Sequence, residues 1–222
     1  MRVEIWTDII CPWCYLGKRR METALSRFPH AEQVELMGRS FELDPGAPRR
    51  YEVSLDEMLA GKYGVGLERA RAMNEQVTEL AKGEGLEYRL DVARPGNTFD
   101  AHRLLHLAEG LGRRSELEER FMRGYFSEGK AIGDHEVLAG MAKEVGLDES
   151  AVREVLAGEA FANAVRADES RARRLGANGV PFFVVDGRYG VSGAQPSDLL
   201  LELLQKAWAT RDMQTARSAG AD

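Results

Sequence analysis

The chain has 222 residues, 44% of them hydrophobic and 30% charged, which is enough apolar content for a sizeable core without metal or disulfide staples. Fibrous and disordered classes are set aside, and no run approaches the roughly 20 apolar residues that a bilayer span needs. Thirty Lys and Arg against 36 Asp and Glu leave a formal charge of -6, the wrong sign for a protein that binds by neutralising phosphates. Neither nucleic acid nor membrane is an expected partner.

Residues 2–7 alternate in the manner of a strand. Cys14, Met21, Leu25 and Phe28 then recur at helical spacing, with Lys18, Arg19 and Arg20 on the outer side. Pro29 ends that helix, 33–41 reads as a second strand, and the opening third is a βαβ unit. A loop rich in Pro, Gly and Arg follows over 44–50.

From Ser54 to about Leu175 the pattern is helical, with five or six helices expected. Ser54 with Glu57, and Ser115 with Glu118, have capping-box spacing, and Asp134 precedes the periodic run Val137, Leu138, Met141, Val145. Residues 86–92 suggest a short extended segment without an obvious partner. Residues 179–185 return to strand character, Asp186-Gly187 reads as a two-residue hairpin turn, and 188–191 form the partner strand. A last helix is expected over 197–209, followed by a small, polar tail at 210–222 that reads as disordered. The order is therefore α/β, with a discontinuous sheet domain (1–50 and 176–209) interrupted by a helical insertion (51–175).

The N-terminus carries no signal-peptide pattern, so a cytoplasmic protein is expected. In that compartment a close Cys pair is redox-active or metal-binding rather than structural. The only two cysteines form Cys11-Pro12-Trp13-Cys14 where strand becomes helix. Pro suits the first helical position, which makes Cys11 the N-cap. A thiolate there accepts hydrogen bonds from free N-H groups of the first turn and faces the positive end of the helix dipole, so Cys11 is the nucleophile candidate. Cys14, one turn on, lies within disulfide reach and is expected to be more buried, the resolving thiol.

A zinc site would need two more ligands, for which His102 and His106 at i, i+4 are the candidates. No metal is expected. The same pair lacks the adjacent Glu of a zincin helix and is read as including a partner-bonded packing residue. Gly64-Val65-Gly66 is read as an interhelix turn rather than part of a dinucleotide fingerprint.

Cys-Pro-Trp-Cys on a βα junction, a helical insertion, and Gly-Val-Pro-Phe-Phe before a hairpin together resemble the DsbA-like branch of the thioredoxin superfamily, over essentially residues 1–209. The segments 7–17, 97–104 (Asn-Thr-Phe-Asp-Ala-His-Arg-Leu) and 191–195 are most similar to the FrnE-type cytoplasmic oxidoreductases. The resemblance implies a thioredoxin fold and a thiol-disulfide oxidoreductase or isomerase acting on a protein or small-molecule substrate, with no cofactor beyond glutathione as a co-substrate. It places Pro181 in cis facing the cysteines, with the Val180 backbone, Pro12 and Trp13 beside the substrate. It also brings the helix at Asn97 over the site, making Asn97 either a substrate contact or a cap or turn residue. Pro-Trp in place of the Pro-His of the strongly oxidising periplasmic DsbA argues against a strongly oxidising character.

The same branch holds glutathione-dependent hydroxychromene carboxylate isomerases and kappa-class glutathione transferases, which typically carry Ser where this chain has Cys11. Retention of both thiols favours redox exchange over that alternative. A third reading is a chaperone-like module whose groove holds unfolded chains. Arg171, Arg173 and Arg174 are read either as glutathione-carboxylate partners or as a solvated helix face.

Overall fold

The computed structural model describes the backbone of residues 1–219 and the side chains of residues 1–211. β1 (Arg2–Thr7), α1 (Pro12–Ser26) and β2 (Glu35–Ser40) open the chain. Seven helices follow among the described residues: α2 (Leu55–Tyr63), α3 (Leu67–Gly83), α4 (Phe99–Glu109), α5 (Arg114–Glu128), α6 (His135–Glu144), α7 (Glu149–Ala157) and α8 (Ala162–Arg174). β3 (Phe182–Val185), β4 (Tyr189–Ser192) and α9 (Ser197–Ala219) complete the fold.

The sheet order is β2-β1-β3-β4, with β1 parallel to β2 and antiparallel to β3. β1 is buried on both faces, and its alternation decides what each face meets. Val3 and Ile5 pack with Met21 and Ala24 of α1, with Phe28 just beyond its end, and with Leu200 and Leu204 of α9. On the other face Trp6 packs with Ala172, Phe182 and Val184, and its Nε1 donates to the Asp168 carbonyl of α8 at 2.9 Å. Glu4 shares that second face, where Arg39 and Arg171 both donate to its carboxylate. Arg171 is thus committed to the sheet, while Arg173 lies 3.8 Å from Glu169 and Arg174 bonds Ser170.

The largest core cluster lies in the helical layer and runs without a break into the cysteine turn, joining Ile9, Cys11 and Cys14 to Leu104, Phe121, Phe126 and Val155. The cysteine pair therefore sits at the seam between sheet and helices.

Several local expectations need correction. The insertion holds seven helices rather than five or six, because α2 and α7 are each short and followed by a C-cap glycine, Gly64 and Gly158. Ser54 and Glu57 form the expected capping box and Asp134 caps α6, but α5 begins at Arg114, so Ser115 caps nothing. Glu118 instead accepts from the Thr7 hydroxyl at 2.5 Å. Residues 86–92 form no strand; there Arg89 N-H donates to the Phe126 carbonyl. The second strand is Glu35–Ser40, shorter than 33–41, because Ala31–Gln33 form a 3-10 turn.

The hairpin pairs Val185 with Tyr189, so 186–188 make a three-residue connection instead of two. Asp186 and Gly187 take positive φ as a tight turn requires, and the Asp186 carboxylate accepts from Arg2 N-H at 2.7 Å, which ties the turn to β1. α9 continues to Ala219 through residues assigned to the tail, a stretch without Gly or Pro to stop it; 220–222 lie outside the described residues.

α5 is fastened to α1 through Glu119, whose carboxylate accepts from Tyr15 Oη at 2.5 Å, Lys18 Nζ at 2.7 Å and Arg19. Burial pushes this carboxyl up, and the bonds from Lys18, Tyr15 and Arg19 outweigh it, bringing its pKa to about 2. A depressed carboxylate contributes stability that is complete above the unfolded value and is lost as pH falls through the folded one. Glu119→Gln should therefore cost about 2 kcal/mol at pH 7, and its deficit should shrink as pH falls from 4.5 towards 2. Denaturant unfolding of both proteins at pH 7 and pH 2.5 checks this; an equal deficit at both would show that the carboxylate charge is not the cause.

Candidate active site

The turn between β1 and α1 is closed by Cys11 N-H donating to the Asp8 carbonyl at 3.1 Å, and Pro12 opens the helix. Cys11 takes the N-cap position with extended backbone (φ -86°, ψ 111°), as the spacing predicts. Its side chain makes no cap bond; the Cys11 thiol donates to the Val180 carbonyl at 3.6 Å. The difference has a simple cause: a cap bond needs sulfur as acceptor, whereas a protonated sulfur is a weak donor and turns to the carbonyl offered to it.

Cys14 is fully buried and its sulfur accepts from Asp8 N-H at 3.4 Å. Burial, reinforced by the adjacent Cys11, pushes the Cys14 thiol well above its usual range. Both cysteines are free thiols. Both cysteines are buried, yet they differ: Cys11, 3% exposed, borders the cavity described below, whereas Cys14 is fully enclosed and does not.

The Val180–Pro181 bond is cis, and the Pro181 carbonyl accepts from Gly193 N-H at 2.8 Å. α1 approaches this loop at Gly17, where a Cβ would fall 2.9 Å from Pro181 Cγ. Glycine at this position lets the cysteine helix and the proline loop pack together. Pro12 is half-buried, and its carbonyl accepts from Tyr88 Oη at 2.8 Å; Trp13 is exposed.

Asn97 precedes the N-cap Thr98 of α4 and works as a turn residue. Its Oδ1 accepts from Phe99 N-H at 2.9 Å, its Nδ2 donates to the Ala47 carbonyl at 3.4 Å and its N-H to the Pro48 carbonyl at 2.8 Å. These bonds tie α4 to the 44–50 loop, and none runs to the cysteines.

Sequence reasoning read the His102 and His106 pair as including a partner-bonded packing residue, but it missed the partner, Asp8, beneath Cys14. Asp8 is fully buried; its Oδ2 accepts from Leu43 N-H at 2.7 Å and its Oδ1 lies 3.3 Å from Nε2 of His102. His102 is also fully buried, and its Nδ1 has no hydrogen-bond partner. His106, one turn on, lies 3.2 Å from Asp168 and 3.3 Å from Glu109. Both histidines are therefore bonded to carboxylates. For Asp8 the signal in the sequence was an acidic residue directly before Ile9, Ile10 and the first cysteine, which points to a buried carboxylate in need of a partner.

Beside Cys11 a cavity of about 240 Å³ opens between the Cys11-Pro12-Trp13 turn and helices α2, α3 and α5. Larger clefts border Gln33 and Arg211, Arg49 and Lys130, and Arg71 and Tyr88, but none of the three is lined by a cysteine.

Three similarities bear on this arrangement. A probable DsbA oxidoreductase from Streptomyces coelicolor superposes with a TM-score of 0.91 at 50% identity, covering 94% of this chain and 90% of that one. The cytosolic disulfide reductase DsbM from Pseudomonas aeruginosa superposes at 0.64 with 19% identity, over 93% and 98%. A 2-hydroxychromene-2-carboxylate isomerase does so at 0.65 with 16% identity, over 98% of both chains. At such low identity the last two show the shared fold alone. The DSBA-like thioredoxin domain family matches residues 2–205, almost the whole of the chain, and the chain belongs to that family.

Proposed function

We propose that the protein is a cytoplasmic thiol-disulfide oxidoreductase of the FrnE type in which Cys11 is the attacking thiol and Cys14 the resolving one. The observation that carries this reading is the inequality of the two thiols: both are buried, but Cys11 borders the cavity beside the Val180 carbonyl, while Cys14 does not reach it and has its proton held firmly.

Cys11 loses its proton to solvent and its thiolate attacks one sulfur of a substrate disulfide; the other substrate sulfur leaves as a thiolate and takes up a proton. Cys14 then gives up its proton, attacks Cys11 in the mixed disulfide and expels the second substrate sulfur, leaving a Cys11–Cys14 disulfide. Two electrons and two protons have passed to the substrate. A second dithiol or two glutathione molecules return the pair to the reduced state, and the reverse sequence oxidises a substrate. Val180 and Pro181 line the substrate's path past Cys11, with Pro12 and Trp13 on its other side.

Support for the reducing compartment comes from the absence of any further cysteine to form structural bridges, and from the likeness to a cytosolic disulfide reductase whose structure has also been solved with GSH.

The test is a redox titration in glutathione buffers combined with alkylation of the native, reduced protein. A single two-electron transition is expected, and iodoacetamide should add one group, at Cys11, before the buried Cys14 reacts. Equal labelling of both cysteines, or no disulfide at any ratio of oxidised to reduced glutathione, would overturn the assignment.

A further inference from the structure

We infer that the cleft between the 44–50 loop and the start of α6 is a binding site for a small polyanion, a polyphosphate or a sugar bisphosphate that carries no nucleobase. The site is separate from the cysteine pair and does not depend on the redox reading.

Three segments distant in the chain build this cleft, and two glycines let them touch. A Cβ on either Gly96 or Gly133 would run into the Arg49 carbonyl oxygen, so glycine is required at both positions by close approach. Tyr51 N-H donates to the Pro95 carbonyl at 3.3 Å, Asn97 N-H donates to the Pro48 carbonyl at 2.8 Å, and Arg94 bridges to Ala131. The loop is thus pinned through its backbone against 94–97 and 131–133. The side chains of Arg49, Arg50, Arg94 and Lys130 are left to line one opening of about 760 Å³, a size suited to a small molecule.

These cations meet three carboxylates on the cleft wall, but each carboxylate is already engaged. Glu128 lies 2.9 Å from Arg120 and 3.4 Å from Arg123, and Glu136 accepts from Arg153 at 2.7 and 2.9 Å. Asp134 accepts from the N-H groups of Glu136 and Val137 as the cap of α6. Among the described residues, Arg49, Arg94 and Lys130 form no salt bridge, and Arg50 comes within 3.9 Å of Glu52 between two exposed side chains. Elsewhere in this acidic chain guanidiniums find carboxylates, as Arg39, Arg114 and Arg171 do. The whole chain is negative, yet the cleft is locally positive.

The lining also selects the ligand. A guanidinium fork bonds two oxygens of one phosphate, so several cations around one opening match a ligand with more than one anionic group. Among the described residues no Phe, Tyr or Trp lines the cleft, which leaves a nucleobase without a ring to stack on. Ala131 and Val137 are its apolar lining, too little surface to hold an acyl chain.

The experiment is isothermal titration calorimetry of the full chain with inorganic pyrophosphate, fructose 1,6-bisphosphate, ATP and a short single-stranded oligonucleotide. Pyrophosphate and fructose 1,6-bisphosphate should bind with an affinity that falls as salt rises. Arg94→Ala and Lys130→Ala should each weaken that binding about tenfold, the loss of one charge-assisted contact. Both side chains are exposed, so the variants should melt with the parent. Arg69→Ala, which removes an exposed guanidinium of α3 outside the cleft, should bind as the parent does.

No binding of either phosphate compound, or a loss as large in Arg69→Ala as in Arg94→Ala, would overturn the site. ATP or the oligonucleotide binding about tenfold more tightly than both would overturn the ligand class. Binding is read without turnover, so failure of the redox reading would leave this result unchanged.

Discussion

Cys14→Ala protein incubated with glutathione disulfide or an oxidised peptide is expected to accumulate an adduct on Cys11 that dithiothreitol removes, while Cys11→Ala gains little. The asymmetry follows from position. Cys11 borders the cavity and the Val180 carbonyl, while Cys14 is buried with its thiol raised well above the usual range, so the thiol left in Cys11→Ala is both hidden and protonated. Once Cys14 is gone, no other cysteine in the chain can expel the product. Catalysed insulin reduction should fall by roughly a hundredfold or more in both variants, since neither completes the two-step exchange. Mass spectrometry of the intact protein reads the adduct directly. A glutathione-dependent isomerase would behave otherwise, with Cys14→Ala keeping its turnover of an aromatic substrate. If Cys14→Ala keeps redox turnover and traps nothing, the dithiol mechanism is wrong.

The largest effect on stability is expected from Arg103→Met. The Arg103 guanidinium is buried and spans the C-terminal end of α7, donating to the carbonyls of Val155, Gly158 and Ala160 and to Asp100 at 2.7 Å. Removing it leaves those carbonyls with fewer donors and Asp100 with His135 alone, at 2.6 Å. Loss of one partner from such a buried network costs about 3 to 5 kcal/mol, which for a chain of this length lowers Tm by roughly 6 to 15 °C. Arg103→Lys should recover only part of this, because an ammonium cannot reproduce the planar fork. The consequence reaches the site, since the next residue back, His102, is the partner of Asp8 beneath Cys14. A melting point for Arg103→Met within about 2 °C of the parent would show that the network is dispensable.

The segment 97–104, which drew attention as part of a family pattern, thus carries mostly structural duties here. Asn97 shapes the turn, Arg103 ties α4 to the end of α7, and His102 holds the carboxylate under the cysteine pair. Only the last of these lies next to the chemistry.

What could be read from the sequence alone was local. The strand-to-helix junction at Cys11-Pro12-Trp13-Cys14, the capping box at Ser54 and Glu57, the turn at Gly64-Val65-Gly66 and the hairpin at Asp186-Gly187 each depend on a few neighbouring residues whose backbone preferences point the same way. The βα junction also settled which cysteine caps the helix. The exact hairpin register did not follow, because Asp186 is held by Arg2 on another strand.

Tertiary structure decided everything that joins distant segments: the Val180 carbonyl beside Cys11, 169 residues away, Asp8 against His102, 94 residues apart, and Thr7 with Glu118, 111 apart. Periodicity tells which face of α4 is apolar, but it does not tell which strand end that face will meet. The cavity beside Cys11 is the clearest case, because its walls come from the cysteine turn and three helices, and its volume is what their packing leaves over. The amino-acid order places the cysteine pair at a helix start through local backbone preference, whereas the cavity beside it exists only once separate elements have packed around it.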